Sequence, residues 1–118
     1  MNLPWEYMES SQSLSVLVKR LDSDVRQILR KVNFGELSSK NRELLSDLQQ
    51  DLVDARIYSN AYELSETRED QLDNAKRAKS WLNKAKKCIL TASEHNIFEA
   101  IDVAHLSANI EQIIDKLE

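Results

Sequence analysis

The chain has 118 residues, 42% hydrophobic and 31% charged, with a formal net charge of −4. That length suits one domain with its own core, expected here over residues 1–118, and the balance excludes the disordered and membrane-embedded classes. A single glycine, a single proline and a single cysteine exclude glycine-built phosphate loops, nucleophile elbows, hairpin-rich sheets and any internal disulfide.

No apolar run approaches the ~18 residues that cross a bilayer. The opening Met1 to Glu6 lacks the basic-then-apolar layout of a secretory leader. The expectation is a cytoplasmic protein without membrane insertion, and a lone Cys88 agrees with a reducing compartment. Charge alternates along the chain: residues 1–33 carry +1, 34–75 carry −6, 76–93 carry +6 and 94–118 carry −5.

A first helix is expected from Pro4, whose missing N–H suits the first helical position. Leu14, Val18, Leu21, Val25, Ile28 and Val32 recur at spacings of three and four, and Leu3 and Tyr7 extend the stripe backwards across an interruption at Ser10 and Ser11. Asn33-Phe34-Gly35 supplies the stop, with Gly35 expected to take the left-handed conformation that closes a helix. Ser38 or Ser39 caps a second helix with the stripe Leu44, Leu45, Leu48, Leu52, Ala55 and Tyr62.

Thr67 caps a third helix, with Glu69 and Asp70 in its first turn where acids complement the helix dipole. Its face of Leu72, Ala75, Ala78, Leu82, Ala85, Ile89 and Ala92 is rich in small residues, which let a neighbouring helix approach closely, and Trp81 and Cys88 stand at its edge. Asn96 with Glu99 reads as a capping box for a fourth helix through Leu106, Ile110, Ile113 and Leu117. Four helices with short connections predict an all-α, antiparallel four-helix bundle, assembled as a dimer.

Four features bear on chemistry. Lys76, Arg77, Lys79, Lys84, Lys86 and Lys87, with Trp81 between them, form the densest basic segment, and Lys19, Arg26 and Arg30 line the polar face of the first helix. Phosphate binding needs such clusters, so a nucleic-acid-associated factor using residues 76–87, with Lys76, Arg77, Lys84 and Lys87 as contacts, is the alternative reading. It is disfavoured by a pI near 5.2 and by pairing with the acidic helices on either side.

Glu99, Asp102 and His105 share one helix edge, but a bundle metal centre also needs Glu-x-x-His motifs that this chain lacks, so no metal or cofactor is expected. Cys88, without a neighbouring histidine, reads as a packing residue rather than a nucleophile.

Three segments bear partial likenesses to known helical families. Glu99-Ala-Ile-Asp102 resembles half of the motif of MazG-type nucleotide pyrophosphatases, whose acidic partner motif would fall in the acid-free stretch 84–93. This supplies the third reading, a small helical metal-dependent nucleotide hydrolase. Ala104-His105-Leu106 resembles the phosphoacceptor helix of histidine phosphotransfer domains, with Ala108 and Asn109 where those carry Lys-Gly. Residues 81–104 loosely resemble helical HEPN domains, without their Arg-x4–6-His motif. No family is assigned.

The second and fourth helices carry more apolar surface than one core stripe uses. Val53, Ile57, Ala61 and Leu64 lie opposite the core stripe of the second helix, and Ile97, Ile101, Ala104 and Ala108 opposite that of the fourth. These eight residues are the candidate protein interface. The leading expectation is therefore a non-enzymatic helical interaction or regulatory module, a homodimer working on a protein partner through helix surfaces.

Overall fold

The computed structural model of the chain describes residues 13–117, and every regular element among them is helical. The helices are α1 (Leu14–Leu29), α2 (Ser39–Leu64), α3 (Arg68–Glu94) and α4 (Ala100–Lys116), with a 3-10 turn at Phe34–Glu36. The proposed start at Pro4, and the backward stripe of Leu3 and Tyr7, lie outside the described residues.

Each helix begins where a side chain satisfies an otherwise orphaned N–H, with one exception. The hydroxyls of Ser13, Ser38 and Thr67 accept from the amides of Val16, Asn41 and Asp70. Glu99 opens α4 without a side-chain cap. Asn96 does not cap α4; it closes α3.

At φ 58° Asn96 is left-handed, its amide reaches the Ser93 carbonyl at 3.0 Å, and the Ile97 amide reaches Ala92 at 2.8 Å. That pattern is a Schellman stop, and Asn is the residue after glycine that best tolerates it. The left-handed position expected at Gly35 is absent, because no described glycine has a positive φ. The Gly35 amide instead donates to the Asn33 side chain at 3.2 Å within the 3-10 turn, and α1 ends early, at Leu29. Val32 still packs against the core, from the turn rather than from the helix.

Helices α2 and α3 form the most intimate pair. Their cross-helix contacts run in opposite directions: Ser65 meets Asn74, Tyr58 meets Arg77, Asp51 meets Cys88 and Asn41 meets His95. Ala55, Ser59, Ala75, Ala78, Ala85 and Ala92 are buried along this hairpin, and their small side chains permit the close approach. Helix α1 packs against α2 and α4, and α4 packs against α1 and α3. Opposite directions recur, since Asp24 meets His105 while Lys31 meets Asp102, and Ser15 meets Glu63 while Phe34 meets Arg42.

The shared core is Leu14, Leu17, Leu21, Val25 and Ile28 against Leu45, Leu48, Leu82, Ile89, Leu106, Ile110 and Ile113. Each large aliphatic buried there contributes about 1.5–3 kcal/mol of apolar transfer. At about 1.5 Å per residue, α2 and α3 are roughly 40 Å long and α1 and α4 roughly 25 Å. Lys86 meets Glu111 near the end of α4, so the first turns of α3 have no α4 beside them. Leu72, expected in the core, is accordingly 53% exposed.

Candidate interaction surfaces

The outer side of α2 is where sequence and structure diverge most from a simple bundle. Leu45, Leu48, Leu52 and Ala55 are buried, and Ile57 and Leu64, on the other side of the helix, are 54% and 80% exposed. At 100° per residue, Ser46, Gln50, Val53, Ile57 and Leu64 fall within about 60° of one another, centred away from the core. All five are exposed and none is charged. Asp54 and Arg56 flank the strip.

An uncharged apolar centre with a charged rim is the pattern of a protein interface, since charges are depleted where an interface is driest. Ala61 lies at the edge of the strip and is only half-buried. The absence of charge along the strip was present in the sequence as a helical-wheel signal, and reading only the apolar positions missed it.

On α4, Ile101 is 74% exposed and Ala104 and Ala108 are exposed beside it. Ile97 is not part of that surface, because the Schellman turn folds it half-buried against the core. Since α2 and α4 each pack against α1 and α3 and share no comparable seam, the two outer strips belong to different sides of the molecule. With Ile97 removed, the remaining candidate residues divide between two surfaces.

Most of the basic segment on α3 is engaged. Arg77 pairs with Asp73 at 3.1 Å and lies over the Tyr58 ring, Lys84 sits 4.2 Å from the centroid of Trp81, and Lys86 pairs with Glu111 on α4. Lys79 also has a partner. Lys76 and Lys87 are exposed on one outer face, eleven residues or about 16 Å apart along the axis, too sparse for a continuous phosphate track. The Lys86 contact with Glu111 is an ion pair to a neighbouring helix, whereas the Arg77 pair with Asp73 lies within α3.

Glu99, Asp102 and His105 do not converge. Asp102 turns to Lys31 at 3.8 Å, His105 Nε2 lies 3.1 Å from Asp24 Oδ2, and Asn109 donates to the same oxygen at 2.9 Å. Among the described residues no group of three or more His, Cys, Asp or Glu is placed to hold a metal ion. No helix among them is long and apolar enough to cross a membrane.

Cys88 is half-buried with its Sγ 3.6 Å from Asp51 Oδ2. Burial first, and the Asp51 charge second, push its pKa up to about 11. Such a thiol holds its proton at neutral pH and is a poor nucleophile.

Several cavities indent the surface of the described residues. A groove of about 430 Å³ between α1 and α2 is lined by Arg26, Leu29, Arg30, Val32, Phe34 and Gln49. Two others, of about 290 and 470 Å³, share Asn41 and His95 near the α3 stop, and a small one of about 140 Å³ holds Asp24, Lys31, Asp102 and His105. Compared with protein-family models, curated proteins and solved structures, the chain matches none.

Proposed function

We propose that this chain is a non-enzymatic, cytosolic interaction module, an antiparallel four-helix bundle that self-associates as a homodimer and presents helix surfaces to a protein partner. The observation that carries this reading is the outer strip of α2, where Val53, Ile57 and Leu64 are exposed with no charge among them. Burying such a strip removes apolar area from water at about 25 cal/mol per Å² and leaves no carboxylate or ammonium to desolvate. The opposite running of neighbouring helices supports the bundle topology, and the proton-holding Cys88 supports a structural rather than catalytic role for the one thiol.

The outer strip of α4, centred on Ile101, serves as a second and separate surface. A two-fold dimer uses one patch twice, so association through α2 leaves the α4 strip open to a partner. The test is size-exclusion chromatography with light scattering on the Ile57→Lys protein. Loss of association with an unchanged helical spectrum supports the reading, whereas unfolding places Ile57 in the core of the monomer.

A further inference from the structure

The groove between α1 and α2 differs from the three cavities described beside it in the sign of its charge. Its lining holds two guanidinium groups and no carboxylate. The other cavities mix signs, with Lys40 beside Glu43 and Asp47, Lys31 beside Glu36, and Lys31 beside Asp24 and Asp102. The floor of the groove is apolar: Leu29 is buried, Val32 is half-buried, and the Phe34 ring stands 41% exposed.

This geometry follows from where α1 stops. The helix ends at Leu29, and the chain turns through Val32 and Phe34 before α2 begins, which opens the seam and lays apolar side chains along it. Arg42 Nε donates to the Phe34 carbonyl at 3.1 Å, fixing the turn and bringing a third guanidinium to it. Arg26 and Arg30 are one helical turn apart, so both project from the same flank of α1. Among the described residues the Arg30 guanidinium has no partner, and the exposed Arg26 side chain pairs with half-buried Asp22 at 3.2 Å, a contact that an incoming carboxylate can displace.

The geometry points to this groove as the docking site for an acidic segment of a partner protein, one that carries carboxylates beside a Phe or Leu anchor. Guanidinium forks bind carboxylates through two parallel hydrogen bonds, which gives the contact direction as well as strength. The anchor covers Phe34, Val32 and Leu29. A nucleic acid is the poorer fit, because the exposed floor offers one aromatic ring and the cations do not extend into a track. The site lies on the α1 flank of α2 and is independent of the outer strip assigned to self-association.

Fluorescence anisotropy with the fluorescein-labelled peptide GSEDFLEDGS tests the assignment, with GSKRFLKRGS and a twelve-base oligothymidylate as comparisons. The acidic peptide is expected to bind saturably, about tenfold more weakly to Arg30→Gln, several-fold more weakly to Phe34→Ser, and more weakly as salt rises. Both side chains are exposed, so both variants are expected to keep the helical spectrum of the parent.

The proposal is overturned by any of three results. These are no saturable binding below ~1 mM peptide, equal or tighter binding of the basic peptide or the oligonucleotide, and folded Arg30→Gln and Phe34→Ser proteins that bind like the parent. Repeating the titration on Ile57→Lys keeps the result separate from the fate of the self-association reading.

Discussion

The thiol of Cys88 on α3 lies 3.6 Å from a carboxylate oxygen of Asp51 on α2, placing a polar contact within an alanine-lined seam. Asp51 is only 9% exposed. The Asp51 charge disfavours ionisation of the thiol, whereas the thiol, donating to the carboxylate, favours its charged form against the opposing effect of burial. An unfolded thiol ionises near 9.0, whereas the folded one holds its proton to about 11. Cys88 therefore favours the folded state below pH 9, and that contribution is lost as pH rises from 9 to 11. At pH 8 the native protein is expected to react with a disulfide reagent roughly a hundredfold more slowly than the urea-unfolded chain. Equal rates contradict the burial of this thiol.

Asp51 gives the opposite experiment at low pH. Burial, the largest cause, raises its pKa above the ordinary 3.8, so the folded state binds its proton more tightly than the unfolded state does. Its charged form thus costs stability at neutral pH, and the cost is relieved as pH falls through the raised value towards 3.8. Asp51→Asn is expected to melt at or above the parent temperature at pH 7, with the difference shrinking as pH approaches 4. A difference that grows on acidification contradicts this account.

Ser59 is buried and its hydroxyl has no hydrogen-bond partner among the described residues. Leaving such a group unsatisfied costs about 1–3 kcal/mol, and Ala is also the better helix former. Ser59→Ala is therefore expected to stabilise the protein by about 0.5–2 kcal/mol in urea denaturation. Destabilisation shows that the hydroxyl is satisfied in solution.

Asn96 tests the stop between α3 and α4. Its left-handed φ of 58° is costly for residues with a Cβ, least for Asn and absent for Gly. Asn96→Gly is expected to be neutral or stabilising and Asn96→Ala to cost about 1 kcal/mol by equilibrium unfolding. If Ala and Gly behave alike, the turn is not left-handed in solution.

Asn96 also marks the limit of what the sequence discloses. The core stripes of α2, α3 and α4 were legible because three-and-four spacing maps directly onto one helix face, and Thr67 and the Ser38-Ser39 pair were legible as caps because hydroxyls there have one dominant use, although the choice of Ser38 over Ser39 was not. Asn96 has two uses: it starts helices through its side chain and stops them through its tolerance of positive φ. Which use prevails depends on whether Ile97 packs behind it, a tertiary fact.

The end of α1 was misplaced for a related reason. Val32 continues the periodic stripe and does reach the core, but from a turn. The exposed residues of α2 were identifiable from the wheel, whereas the arginine groove needs the register of α1 against α2, which no single-helix pattern contains. The exposure of Leu72 likewise follows from where α4 ends alongside α3.

Sedimentation equilibrium over a concentration series tests the central claim most directly, with the parent protein compared against Ile57→Lys and Ile101→Lys. The account predicts that the parent and Ile101→Lys form dimers while Ile57→Lys remains monomeric with the same helical spectrum. A parent that stays monomeric throughout the series, or an Ile57→Lys protein that dimerises like the parent, contradicts it.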